Sequence, residues 1–162
     1  MKRKRIFVFI LPGLLFLFSL EIHCSPVGSP LDKKACVTSY FGCRGDHFHY
    51  GLDLWTQNMS YANILSIAKG VVLRTGCSST AGNYIIVLHP KNKIISRHYH
   101  MSEIFVKKGQ RVTKGSVLGT PGNTGRSTGV HLHIEIQMIK SRKRVDPIIF
   151  FRSHEIYFPC CN

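Results

Sequence analysis

Acidic side chains are scarce in this chain. Only 8 Asp and Glu stand against 22 Lys and Arg, a formal net charge of +14 over 162 residues. That imbalance suits a polyanionic partner, such as a cell-envelope polymer, an acidic membrane or nucleic acid, or it serves solubility alone. The six cysteines form no Cys-x-x-Cys pair, which argues against a zinc ribbon or a thioredoxin-like redox site. There is no His-Glu-x-x-His, so no glutamate base of that arrangement is expected, and Ser127 and Thr128, in a glycine-rich loop, read as loop hydrogen-bonding residues rather than nucleophiles. Beyond the N-terminal region no segment carries a 3.6-residue apolar period, which excludes a helical domain. The longest apolar run, Ile6 to Leu20, falls short of the ~20 residues of a spanning helix.

That run follows Lys2-Arg3-Lys4-Arg5, and the two together have the layout of a secretory signal peptide over residues 1–24. Cleavage is expected near Cys24; lipoprotein anchoring at Cys24 is an alternative that Glu21-Ile22-His23 fits poorly. The expected location is therefore the periplasm, cell envelope or outside. Without residues 1–24 the net charge is +11, from 18 basic and 7 acidic residues, so the positive excess belongs to the mature domain. Residues 25–35, with two prolines and a glycine, read as a flexible linker. Residues 36–162 suffice for one domain, with its core over 40–150. In an exported chain the cysteines are expected to be oxidised. Cys160 and Cys161 cannot easily bond each other, and the pairing is not readable.

The rest of the chain is patterned as short strands with turn punctuation. Asn83 to His89 is a buried-type strand, Pro90-Lys91-Asn92 a turn, and Lys93 to His100 the returning arm of a hairpin. Val106 to Gly119 reads as short glycine-punctuated strands, Pro121 to Gly129 as a loop, and His131 to Ile139 as a long strand. The expected fold is all-β and antiparallel, with little helix.

Histidines recur on these strands. Residues two apart in a strand face the same way, so His131 and His133 share a face, with Glu135 on the same side. His98 and His100 share one by the same rule. In His49-Tyr50-Gly51-Leu52-Asp53 an extended chain brings the histidine and the aspartate to one side, and Gly51 leaves room for close backbone approach. A hydrolytic zinc site uses three protein ligands plus water. His49, Asp53 and one of the His131/His133 pair supply such a set, leaving spare histidines for acid–base work. His89 and His154 read as structural, His47 as a minor rival ligand, and Trp55 as a core residue.

Phe48-His49-Tyr50-Gly51-Leu52-Asp53, Gly82-Asn83-Tyr84, His98-Tyr99-His100-Met101-Ser102, the Val106 to Gly119 pattern and Gly122 to Glu135 together resemble the lysostaphin/LytM-type zinc metallopeptidases. The match covers residues ~40–150 and ends in Val145-Asp146-Pro147. It implies one Zn2+ per chain on His49, Asp53 and His133, catalytic roles for His100 and His131, and a substrate groove crossing a LytM-like fold of barrel-sandwich hybrid type. It also implies a secreted endopeptidase in which a metal-activated water, assisted by histidine, cleaves peptide bonds of bacterial cell-wall peptidoglycan. Three positions depart from the family pattern: His98 replaces a usual tyrosine, Val130 a proline and Met101 a leucine. None is a ligand. His98 and Asn83 are candidates to line the groove or support the site, and Glu135 to orient a ligand histidine. Two other readings compete. A non-catalytic regulator on the same fold, which would bind and activate another wall hydrolase, generally lacks part of the metal set that is complete here. A lipoyl- or biotin-carrier module fits Val106 to Gly119 but lacks the lysine at a hairpin tip. Nucleic-acid binding has charge in its favour and no motif, so it is not expected.

Overall fold

The computed structural model describes residues 27–161, together with the backbone of a short N-terminal pair, β1 (Phe9–Leu11) and β2 (Leu14–Phe16). The expected leader, its cleavage site and the Cys24 anchor otherwise lie outside the described residues. The strands that follow are β3 (Cys36–Ser39), β4 (Gly42–Arg44), β5 (His47–His49), β6 (Leu52–Trp55), β7 (Ile64–Leu65), β8 (Gly70–Ser78), β9 (Gly82–His89) and β10 (Ile94–Met101). After them come β11 (Glu103–Ile104), β12 (Arg111–Val112), β13 (Val117–Thr120), β14 (Leu132–Met138) and β15 (Arg144–Val145). The main sheet runs β12-β8-β9-β10-β14-β6-β3, with β15 beside β14. A smaller sheet, β11-β13-β7, and the β4-β5 hairpin complete the all-β antiparallel fold. The one α-helix among the described residues, α1 (Pro147–Arg152), starts where Asp146 accepts the Ile148 N–H at 2.8 Å and proline occupies the first turn.

Alternation along the central strands separates two faces. Leu52 and Leu54 of β6, Ile85 and Val87 of β9, Ile94 of β10, and Leu132, Ile134 and Ile136 of β14 are fully buried on the core side. Each such side chain stabilises the fold by about 1.5–3 kcal/mol. The other face is left to polar chemistry. Register sets its layout: Asp53 lies opposite His133, and His133 opposite Tyr99, so three adjacent strands place one row across the sheet.

Two expectations are corrected. The segment read as a flexible linker is docked from Val27 onward: Val27, Leu31 and Ala35 are buried, Gly28 N–H donates to the Ile67 carbonyl, and Asp32 binds Asn63. Its apolar residues, spaced four apart among the prolines and the glycine, find core partners. Trp55 is 38 % exposed rather than a core residue, because the alternation of β6 buries Leu52 and Leu54 and turns Trp55 outward. A disulfide joins Cys36 to Cys161, while Cys43, Cys77 and Cys160 are free and exposed.

Candidate metal centre and active site

His49, Asp53 and His133 converge. His49 Nε2 lies 3.0 Å from His133 Nδ1 and 3.2 Å from Asp53 Oδ1, and His133 Nδ1 lies 2.8 Å from the same carboxylate oxygen. These are the three residues assigned as ligands by resemblance. Their means of delivery differ. Asp53 and His133 are paired across β6 and β14, whereas His49 arrives from the separate β4-β5 hairpin through the turn at Gly51. That turn must hold a glycine: a Cβ on residue 51 would stand 2.5 Å from His133 Cε1 and 2.8 Å from the Ile134 carbonyl oxygen.

The neighbours fix which atoms face inward. His49 Nδ1–H donates to the Tyr40 carbonyl at 2.7 Å, so its Nε2 lone pair points at the other ligands. Arg44 donates to the Ser39 hydroxyl and to Asp53 Oδ2 (3.2 Å), orienting the carboxylate from its outer oxygen. Burial would raise the Asp53 carboxyl's pKa, but the hydrogen bond from His133 and the imidazole of His49 beside it outweigh burial and hold the group far below the usual carboxylate range. Burial likewise disfavours the charged form of His133, yet Asp53 and Glu135 raise its proton affinity above the ordinary value. An anionic oxygen and two inward-facing imidazole nitrogens form a donor set suited to a divalent cation of the zinc type.

Behind His133 stands Glu135, its Oε1 3.7 Å from His133 Nε2 and its Oε2 accepting from Arg144 at 2.7 Å. Arg144 in turn lies over the Tyr50 ring at 4.9 Å. Tyr99 stacks on His133 with ring centres 5.4 Å apart. Its hydroxyl is pushed up to about 12 by burial and by the Glu135 charge, so it stays protonated. Arg44, Tyr99 and Arg144 were not singled out from sequence. An arginine or a tyrosine in a strand carries no signal of its own, and only the register shows what it touches.

His131 and His100 complete the group. His131 precedes β14, bridges to Gly122, and donates from Nδ1 to the Gly129 carbonyl at 2.8 Å, leaving Nε2 3.7 Å from Asp53 Oδ1. His100 donates from Nδ1 to the Thr124 carbonyl at 2.8 Å, and its ring centre is 5.1 Å from that of His131. Burial lowers the His100 pKa below its ordinary value, which keeps it neutral at pH 7. Asn83 donates to the Met101 carbonyl at 3.1 Å, and its N–H bonds Thr124 Oγ1 at 2.9 Å, so it ties the strand end carrying His100 to the loop that holds the His100 ring. A cavity of about 230 Å3, lined by Thr80, Ala81, Tyr99 and His100, opens beside that ring.

The expected pairing of His98 with His100 on one face does not hold. His100 has φ of 61°, and the β9–β10 register shifts between His98 and Met101. This irregularity breaks the two-residue alternation. His98 instead faces the core, fully buried, with Nε2 3.1 Å from the Ser96 hydroxyl, which also bonds His89 Nε2 at 2.9 Å. It does not line the groove. Asp46 holds the exposed His47 at 3.0 Å, away from the ligand set.

The model of peptidase family M23 matches residues 47–147. The chain is 49 % identical over 115 residues to the peptidoglycan DD-endopeptidase ShyA of Vibrio cholerae, a match covering 66 % of this chain and 26 % of that protein. It thus spans about a quarter of that relative's length. Among solved structures it resembles lysostaphin from Staphylococcus simulans (TM-score 0.65, 27 % identity, 74 % of this chain and 50 % of the other). It also resembles a zinc-containing peptidase from Vibrio cholerae (TM-score 0.59, 31 % identity, 75 % and 37 %). With the family model covering the stretch that carries all three converging ligands and both flanking histidines, the chain belongs to peptidase family M23.

Proposed function

We propose that this chain is an exported zinc endopeptidase that hydrolyses peptide bonds of bacterial peptidoglycan. The observation that carries this reading is the convergence of His49 Nε2, Asp53 Oδ1 and His133 Nδ1 beside two further histidines whose outer nitrogens are already committed to backbone carbonyls. A zinc ion held by the three ligands would polarise the scissile carbonyl and make water acidic enough to deprotonate near neutral pH. His100 and His131 each keep Nδ1 on a backbone carbonyl, which leaves Nε2 for the substrate side. One takes the proton of the attacking water, becomes an Nε2–H donor, and returns it to the leaving amine. The other, when it carries a proton on Nε2 as well as on Nδ1, donates to the oxygen on which charge develops. Glu135, fixed by Arg144, steadies the ring of His133. Export is supported by the Cys36–Cys161 disulfide, a bond of oxidising compartments, and by the basic and apolar residues that open the sequence. The net positive charge suits a wall rich in carboxylates and anionic polymers. The complete ligand set disfavours a non-catalytic regulator.

Metal content and wall lysis measured on two variants test the assignment. His133→Ala is expected to lose the zinc, measured by atomic absorption, together with lysis. His131→Ala is expected to keep about one zinc per chain while turnover falls by about 10²–10⁴. Full lytic activity in both variants would sink the proposal.

A further inference from the structure

The basic residues are not spread evenly. The β9–β10 turn carries Lys91 and Lys93, and the β14–β15 turn carries Lys140, Arg142 and Lys143, all exposed. These two turns are neighbours, since Ile94 pairs with Met138 and the Ile139 N–H donates to the Lys93 carbonyl at 3.0 Å. The same end of the sheet continues through Lys69 and Arg111, which flank or face the Gly70 end of β8. No carboxylate occurs from Leu54 to Ser102 or from Ile136 to Val145. Among the described residues no ion pair neutralises any of the five turn cations, unlike Arg44, Arg97 and Arg144 near the site.

Clustered like charges repel, and a fold retains them at a cost. A second observation points the same way. Lys93 and Arg142 sit in left-handed backbone, at φ of 57° and 56°, where glycine or asparagine is favoured. Each turn therefore keeps a cation where a strain-free residue is available. Every residue from Ile139 to Lys143 is exposed, with Ile139 39 % exposed among the cations. Two adjacent turns thus expose an apolar side chain among positive charges. Cations around an exposed aliphatic group match the interface of an anionic bilayer, where the charges meet headgroups and the aliphatic group meets the acyl boundary.

We propose that this end of the sheet docks on an anionic lipid bilayer. His100 lies at the far end of the strand that begins after Lys93, about 23 Å away at ~3.3 Å per residue. Docking would hold the metal centre at a fixed height above the lipid. The docking itself is independent of the hydrolytic reading, because it is measured without turnover.

The test is partitioning of the full chain onto phosphatidylcholine vesicles with and without about one-third phosphatidylglycerol. Neutral vesicles report what the apolar N-terminal residues contribute. Replacing the five turn cations by glutamine is expected to lower binding to the anionic vesicles by on the order of a thousandfold and to leave binding to neutral ones unchanged. The pair Lys93→Gly with Arg142→Gly guards against misfolding: it is expected to raise the melting temperature while weakening anionic binding, a combination that a damaged fold cannot produce. Ile139→Ser is expected to weaken vesicle binding and to leave binding of soluble polyphosphate unchanged. Unaltered anionic binding in the glutamine variant overturns the proposal. So does a loss confined to polyphosphate, which would assign the patch to a soluble polyanion.

Discussion

Gly51 shows how one residue can decide whether a metal centre forms. It lies between two ligands, in the turn that carries His49 back toward Asp53, with its α-carbon against the His133 ring. Relief of a contact at 2.5 Å to His133 Cε1 requires ring movement, and the Ile134 carbonyl at 2.8 Å blocks the alternative of moving the strand. Gly51→Ala is therefore expected to displace His133 from the shared focus. Zinc affinity, measured by competition with a chromophoric chelator, should fall by about 10- to 100-fold, the range seen when the support of a ligand is lost. Overpacking should destabilise the metal-free protein by about 1–3 kcal/mol. Unchanged zinc affinity in a folded Gly51→Ala variant would mean that the ring adjusts without cost. This glycine was legible from sequence as a place of close approach. Its partner was not, because the approach of residue 51 to residue 133 depends on β6 and β14 pairing across a long stretch of sequence.

At the scale of the element, β10 marks where sequence reasoning stopped. Periodicity locates the strand, its turn and its hairpin partner correctly, since those depend on local turn chemistry and on the alternation Ile94, Ser96, His98. The same alternation wrongly sets His98 and His100 on one face. The left-handed backbone at His100, held by its N–H to the Ala81 carbonyl at 2.9 Å, is a tertiary decision that the strand's composition does not announce. The result is one histidine in the site and one in the core, with opposite demands. Burial lowers His98 to about 3 and His89 to about 4, so both are neutral in the folded protein. In the unfolded chain each takes up a proton near 6.5. Below that pH the unfolded state binds more protons, so stability is complete above about pH 6.5 and declines as acidity moves toward pH 4 and then 3, by at most about 1.4 kcal/mol per unit for each histidine. His98 also leaves Nδ1 buried without a partner. His98→Leu removes one titrating group and one unsatisfied atom, while Ser96 keeps its bond to His89. Urea midpoints measured from pH 7.5 to 4.5 should fall less steeply in the variant than in the parent. Parallel curves would show that His98 reaches solvent before the domain unfolds.

The whole molecule is closed by its two ends. Cys36 opens β3 at one edge of the main sheet, and Cys161 belongs to a tail whose backbone pairs with that strand through Val37 N–H to the Pro159 carbonyl (2.7 Å) and Cys161 N–H to the Val37 carbonyl (3.1 Å). The disulfide between them encloses 125 residues of separation, nearly the entire domain. A cross-link of that span restricts the unfolded chain strongly and contributes about 2–5 kcal/mol. Its influence reaches the metal centre. β3 pairs with β6, Ser39 stands opposite Asp53, and the Tyr40 carbonyl that follows fixes the His49 ring. The tail also reaches Tyr40 directly, the Cys160 sulfur lying 2.8 Å from its hydroxyl. Opening the bond frees the strand that holds one ligand by register and another by hydrogen bond. Replacing Cys36 and Cys161 together by serine is expected to lower unfolding free energy by about 2–4 kcal/mol and to weaken zinc binding at temperatures where the domain is still folded. Dithiothreitol should have the same effect on the parent protein and none on the variant, because the described residues contain one disulfide. If zinc affinity stays constant while stability falls, the edge strand acts as a clamp on the fold alone, and the ligands are held by β6, β14 and the β4-β5 hairpin without it.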